Sequence, residues 1–126
     1  MAHHQIDIDH FRSRLEEMRA STQREIDGLH DEVINSNQDD SYGVKNHPAE
    51  DATEVFTRER SLAIENELQR ELERINHALE RVADGTYGVC EVGGEEIPVE
   101  RLEARPAATL CIVHQREQDA QANPNA

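Results

Sequence analysis

The residues of this chain best suited to chemistry are two cysteines and a histidine near its C-terminal end. Cys111 and His114 are separated by two residues, the spacing at which one turn directs two side chains toward a single ion. Cys90 opens a second segment of the same length, but its partner position is Gly93, which has no side chain. The pattern predicts a zinc ribbon-like site with three protein ligands, Cys90, Cys111 and His114.

The sequence leaves more than one state of this site open. Zinc is bound in one of them, and Glu91, Glu95, Glu96 or a water molecule then supplies the fourth ligand. In another, zinc has been lost, and the segment persists by packing on a neighbouring element. A reversible disulfide between the two cysteines is a further alternative, which a reducing cytosol disfavours.

The acidic surroundings of Cys90 argue against an enzyme. Glu91, Glu95 and Glu96 are expected to raise the pKa of a nearby thiol, whereas reactive cysteines lie in electropositive surroundings. The sequence also lacks a convincing general base, a nucleophile–base pair and a phosphate-binding loop. We therefore interpret the chain as a protein that is not an enzyme.

Two long helices are expected to position this site. The first is predicted over residues 8–35, where Thr22 and the apolar residues recur at steps of three and four, and Asp7 or Asp9 can cap its start. The second is predicted over residues 48–84, from Pro48 to the glycine that follows Asp84. Its apolar series is Val55, Leu62, Leu68, Leu72, Ile75, Leu79 and Val82.

Neither helix is expected to be stable alone, because each has a single apolar stripe. An acidic tip loop over residues 36–47 would join them, so residues 1–84 are predicted to form a long antiparallel coiled-coil hairpin in a mainly α fold. We expect a monomer, with a coiled-coil homodimer as the competing arrangement.

Residues 85–117 are predicted to form a small zinc-finger-like knob. Short extended segments are expected at 86–90 and 109–111, and a helical turn at 98–104. About thirty residues cannot build a core of their own, so the knob needs a metal or a neighbouring element. The polar residues 118–126 are expected to be disordered.

The charge of the chain excludes several partners. Asp and Glu number 27 against 13 Lys and Arg, for a formal net charge of -14. A nucleic-acid binder needs a basic surface, and an anionic membrane repels an acidic protein. The sequence has no apolar run long enough to span a bilayer, no signal-peptide pattern and only two cysteines, so we expect a cytoplasmic protein with a basic protein surface as its partner.

The C-terminal segment resembles the finger of the DksA/TraR family. Residues 85–97 read GTYGVCEVGGEEI, residues 101–106 read RLEARP, and the Cys111/His114 pair follows. The family pattern is similar throughout, except that a cysteine stands at the position of Gly93. The run His47-Pro48-Ala49-Glu50 is similar to the YteA-like branch, whose members often lack part of the cysteine set.

This resemblance implies a transcription regulator that binds RNA polymerase. The family reaches into the secondary channel of the polymerase with the coiled-coil tip, does not read a DNA sequence, and acts in the stringent response with ppGpp as co-regulator. The resemblance therefore implies RNA polymerase as the partner of this chain. The alternative is a coiled-coil adaptor or stress protein with an unknown protein partner.

The resemblance also implies a partner-binding tip at the start of the second helix. The family pattern there is Asp-x-x-Asp-x-Ala. Ala52 matches it, Glu50 stands where the second aspartate falls, and His47 replaces the first acid. Asp51 adds a carboxylate one position along, so the implied tip comprises His47, Glu50, Asp51 and Ala52. Acids in the first turn of a helix are also favoured by the helix dipole alone, without any partner.

Overall fold

The computed structural model describes residues 5–41 and 48–122, with the side chains of residues 5–31 and 52–122. These residues form four helices: α1 (Ile8–Ser41), α2 (Pro48–Asp84), α3 (Val99–Ala104) and α4 (Ile112–Ala122). The chain divides into two compact units. We call residues up to Met18 together with those from Arg74 onward the terminal unit, and Arg19–Glu73 the central unit.

Helix α1 begins where the sequence predicts and ends later. The Asp7 carboxylate accepts a hydrogen bond from the backbone N–H of His10 at 3.1 Å, which makes Asp7 the capping residue. The helix continues to Ser41, so the prediction that it ends at residue 35 was wrong. Residues 36–41 are polar but contain no glycine or proline, and polarity alone does not end a helix.

Helix α2 has the predicted bounds, Pro48–Asp84. Gly85 follows it with a φ of 79°, in the left-handed region that glycine adopts without strain. The turn there is closed by the N–H of Thr86, which donates to the carbonyl oxygen of Arg81 at 2.9 Å. The chain therefore leaves the helix in a left-handed turn of the kind that commonly ends helices.

The terminal unit contains one continuous hydrophobic core. Phe11 and Leu15 of α1 contribute to it, as do residues from the end of α2 and from the knob. The fully or nearly buried residues of this core are Phe11, Leu15, Ile75, Ala78, Val82, Tyr87, Cys90, Ile97, Leu102, Ala108 and Leu110. The start of α1 packs beside the end of α2, as it does when two helices run antiparallel. This confirms the predicted fold class.

The central unit is thinner. Among its described side chains, Thr22 and Ile26 are buried, and His30 Nε2 of α1 contacts Glu65 Oε2 of α2 at 2.8 Å. Val55 and Leu62 belong to the predicted apolar stripe of the second helix, yet both are about half-exposed. A pair of helices covers only one side of each member, so residues at the margin of the stripe keep part of their surface in water.

The knob is built from turns and short helices. The expected extended segment at 86–90 is reduced to a single antiparallel bridge between Val89 and Glu96. The helical turn expected at 98–104 is present as α3. Helix α4 was not predicted; it begins after Cys111 and covers residues 118–122 of the segment expected to be disordered.

The predicted boundary between hairpin and knob at residue 84 stays a prediction. The compact units divide the chain differently, because both helix ends pack with the knob. None of the described helices is both long and apolar enough to cross a membrane.

Candidate metal centre

A tight turn brings Cys90 and Glu95 next to each other. The backbone N–H of Cys90 donates to the carbonyl oxygen of Glu95 at 2.7 Å, and the N–H of Gly94 donates to the carbonyl oxygen of Cys90 at 2.9 Å. Gly94 has a φ of 79°, which a residue with a side chain rarely adopts. The glycine therefore lets the chain reverse within four residues and places positions 90 and 95 opposite each other.

Cys111 and His114 come from the start of α4. Cys111 directly precedes the helix, and its carbonyl oxygen accepts a hydrogen bond from the N–H of Gln115 at 2.9 Å. His114 lies in the first turn, with its Nδ1 atom 3.1 Å from the Cys111 Sγ atom. The turn that carries Cys90 is joined to this segment by the N–H of Glu91, which donates to the Thr109 carbonyl at 2.9 Å.

The donor atoms of Cys90, Glu95, Cys111 and His114 lie within 4.8 Å of one another. His114 Nδ1 is 3.3 Å from Cys90 Sγ and 3.7 Å from Glu95 Oε1. Tetrahedral zinc with ordinary bond lengths separates a sulfur from a nitrogen ligand by about 3.6 Å. Thiolate, imidazole and carboxylate are all zinc ligands, so the donor set and its spacing fit a zinc ion.

The environment of Cys90 favours the thiolate. Burial raises the pKa of this thiol, but hydrogen bonds from the backbone N–H groups of Cys111, Gly93 and Val92 outweigh it and, with His114, lower the pKa to about 7. The pKa of His114 is raised, chiefly by its hydrogen bond with Cys90. The expectation that the surroundings raise the thiol pKa was wrong, because these hydrogen bonds lower it.

Two of the candidate glutamates occupy different surroundings. Glu95 lies in the cluster, whereas the Glu91 carboxylate contacts His77 Nε2 at 2.7 Å and Arg81 Nη1 at 3.7 Å. Burial raises the pKa of Glu91, but hydrogen bonds from Thr109 and His77 bring it below its usual value. Glu91 therefore connects the knob to α2.

The residues of the implied tip are largely beyond the described side chains. Ala52 is exposed on α2, whereas Glu50 and Asp51 lie in its first turn and their side chains are outside the described residues. His47 lies outside the described residues altogether. The assignment of these four residues to partner binding stays a prediction.

Sequence reasoning missed the groups that anchor the knob. Arg81 Nη2 donates to the carbonyl oxygens of Thr86 at 3.0 Å and Val89 at 2.8 Å. The buried Tyr87 hydroxyl donates to the Pro106 carbonyl at 2.7 Å. The sequence does show that Arg81 lies in the last turn of the predicted helix, where a cation is favoured. It does not show which carbonyl groups Arg81 contacts, because these lie in the turn that follows the helix.

Comparison with known proteins decides the family. Residues 85–118 match the family described as the prokaryotic dksA/traR C4-type zinc finger. The structure of transcription factor DksA2 from Pseudomonas aeruginosa resembles this one with a TM-score of 0.77 and 32% identity, covering 91% of this chain and 84% of that one. The chain belongs to the DksA/TraR family.

Two curated relatives extend the likeness beyond the finger. The RNA polymerase-binding transcription factor DksA of Escherichia coli K12 is 36% identical over 107 residues, which are 83% of this chain and 66% of that protein. The uncharacterized protein YteA of Bacillus subtilis is 38% identical over 107 residues, or 81% of this chain and 45% of YteA. The chain thus spans less than two thirds of either relative.

Against the C4 pattern of its family, this DksA/TraR protein has only two of the four cysteines. His114 stands in the second pair and Gly93 in the first. The turn at 90–95 and the start of α4 nevertheless bring Cys90, Glu95, Cys111 and His114 within 4.8 Å of one another. The finger therefore departs from the C4 composition of its family but still brings four possible metal ligands together.

Proposed function

We propose that this chain is a transcription regulator that binds RNA polymerase. The observation that carries the proposal is the likeness to DksA2 over 91% of the chain with a TM-score of 0.77, because it includes the long helices as well as the finger. By this proposal the chain enters the secondary channel with its coiled-coil tip, at His47, Glu50, Asp51 and Ala52, and acts in the cytoplasm.

Contacts within the terminal unit join the start of α1 to the knob. The Phe11 ring lies 5.7 Å from that of Tyr87, and Arg14 Nη1 donates to the carbonyl and the carboxylate of Glu103 at 2.9 and 3.0 Å. These contacts hold the start of α1 against the knob.

The charge distribution supports binding without recognition of a DNA sequence. The net charge is -14, and two of the described arginines pair with carboxylates three residues away: Arg12 with Asp9, and Arg70 with Glu67. A chain with 27 acidic and 13 basic residues is poorly suited to neutralise a row of phosphates. An acidic surface instead favours steering toward basic groups of a protein partner.

We also propose that the metal centre binds zinc and that the ion is structural. Cys90, Cys111 and His114 would hold it, and a bound ion would supply cross-links between the turn at 90–95 and the start of α4. The donor atoms of these three residues and of Glu95 lie within 4.8 Å of one another, and a site closed by four protein ligands is the arrangement of structural rather than catalytic zinc. We accordingly propose that the chain is not an enzyme.

The test of the proposed function is binding of the purified chain to core RNA polymerase of its own organism, with transcription measured in parallel. Glu50→Ala/Asp51→Ala removes the two tip carboxylates, and Glu16→Ala/Glu17→Ala removes two exposed carboxylates of α1 as a matched control. We expect the native chain and both variants to bind, and only the tip variant to lose its effect on transcription. Repeating the assay with ppGpp shows whether it is a co-regulator.

Absence of binding at micromolar concentration contradicts the proposal. The chain is then better interpreted as a helical adaptor with another protein partner. If instead both variants lose the effect equally, total charge rather than the tip determines the activity, and the assignment of Glu50 and Asp51 is wrong.

A further inference from the structure

We propose that Glu95 is the fourth metal ligand and takes the place of the side chain missing at Gly93. The inference deepens the proposed zinc site and rests on it. It turns an apparently incomplete site into one with two thiolates, one imidazole and one carboxylate.

The first support is the space around Gly93. A Cβ atom built on this glycine would overlap the Glu95 carboxylate, whose carbon Cδ would lie 2.6 Å away. The carboxylate therefore occupies the volume into which a side chain at position 93 would extend. Gly93 itself does not have the positive φ of Gly94, so its backbone does not require glycine. Glycine at position 93 therefore leaves this volume free for the Glu95 carboxylate.

The second support is that the carboxylate is directed at the other ligands. Glu95 Oε1 lies 3.7 Å from His114 Nδ1, and one of its oxygens is within 4.8 Å of both cysteine sulfurs. The turn closed between Cys90 and Glu95 fixes the two residues across from each other. Glu91 is directed elsewhere, toward His77 and Arg81.

The third support is charge. A glutamate carboxylate has the same single negative charge as a cysteine thiolate, so the replacement leaves the net charge of a zinc-loaded site unchanged. A water molecule in the fourth position would leave the site one negative charge short. Carboxylate is a harder ligand than thiolate, and zinc accepts both. The expected ligand is therefore Zn²⁺, and Co²⁺, which takes the same tetrahedral geometry, can report on the ligands through its absorption.

The experiment uses the full chain, freed of metal by a chelator and titrated with Zn²⁺ against a chromophoric competitor. Glu95→Gln keeps the shape of the side chain and removes its charge, and Glu96→Gln is the control one residue along, outside the cluster. We expect one Zn²⁺ per wild-type chain, no change in Glu96→Gln, and a loss of affinity of about tenfold or more in Glu95→Gln, since even outer-sphere partners of a metal contribute that much.

A second variant tests directly whether Glu95 takes the place of a ligand at position 93; we call this the exchange of positions. Gly93→Cys/Glu95→Ala removes the carboxylate, frees the volume that it occupies beside position 93, and restores the missing thiol. We expect it to recover the lost affinity, and its Co²⁺ complex to show a stronger sulfur-to-metal charge-transfer absorption than wild type, because three thiolates replace two. Thermal unfolding of the metal-free proteins checks that each variant folds like wild type.

The outcomes separate this inference from the proposals on which it rests. If wild type binds Zn²⁺ and Glu95→Gln binds it equally well, Glu95 is not a ligand although the metal site stands. If wild type binds no Zn²⁺, both the zinc site and the role of Glu95 are overturned, whereas polymerase binding is decided by its own assay. Failure of the double variant to recover affinity, with its fold intact, refutes the exchange of positions.

Discussion

The terminal unit and the central unit use the same two helices but bury different amounts of apolar surface. In the terminal unit, the start of α1, the end of α2 and the knob share one core of largely inaccessible residues. Among the described side chains of the central unit, only Thr22 and Ile26 are buried, while Val55, Phe56, Leu62 and Ile64 are exposed. The helical pattern of the sequence is similar in the two units, so the knob, which packs as a third element, makes the difference.

This contrast indicates where the free energy of folding is concentrated. Apolar surface contributes in proportion to the area removed from water, and two helices alone remove little of it. We expect the terminal unit to be the more stable part of the chain. Hydrogen exchange in the central unit is accordingly expected to be faster, through local opening.

Matched isoleucines give the largest expected effect and the sharpest test of this comparison. Ile75 in the terminal unit is 0% exposed and Ile26 in the central unit 1% exposed. We expect Ile75→Ala to lower the free energy of unfolding by about 4 kcal/mol and Ile26→Ala by about 2 kcal/mol, because the cost depends on how far the surroundings can collapse into the cavity. Urea denaturation of the full chain measures both. Equal losses would show that the central unit is packed as tightly as the terminal one.

The aromatic residues give a second, smaller effect. Tyr87→Phe removes the hydroxyl that donates to the Pro106 carbonyl at 2.7 Å and leaves a buried acceptor without its donor. We expect a loss of about 1 to 2 kcal/mol in the free energy of unfolding. In the central unit, Phe56 is 72% exposed, and Phe56→Ala is expected to change stability by less than about 0.5 kcal/mol. A large loss from Phe56→Ala would contradict the comparison.

The smallest expected effect concerns the pH dependence of the contact between α2 and the knob. The hydrogen bond with Glu91 raises the pKa of His77 and outweighs burial; Glu80 adds to it, and Arg81 also contacts Glu91. Because the folded pKa is above the unfolded one, this contribution is fully present below about pH 6.5 and is lost as pH rises through the folded pKa.

The measurement compares the unfolding free energies of wild type and His77→Gln across this range. The side chain of His77 is 46% exposed, so solvent screening limits the difference to less than about 1 kcal/mol at low pH. His77→Lys, which stays charged at high pH, is the control and is expected to lose less stability than wild type as pH rises. If the difference in unfolding free energy between wild type and His77→Gln grew as pH rises, it would contradict this assignment.

Much of the architecture was predictable because it depends on local patterns. The periodic stripe led to α1 and to the burial of Phe11, Leu15 and Ile26, and Pro48 and Gly85 predicted both ends of α2. Helix α4 was not predicted, because its polar residues form no apolar stripe and none of them is buried. Its position beside the turn at 90–95 depends on contacts outside the helix.

The sequence by itself determined the two long helices, the family likeness and three of the candidate ligands, because spacing along the chain is enough to specify each of them. Only the tertiary structure decided that Glu95 rather than Glu91 faces Cys90, and that Cys90 has a lowered pKa. Both depend on the path of the backbone: the reversal at Gly94 selects the carboxylate, and the N–H groups that donate to the sulfur outweigh its burial. The direction in which a carboxylate or an N–H group points toward Cys90 is set when distant segments pack together. It cannot be read from the local order of residue types.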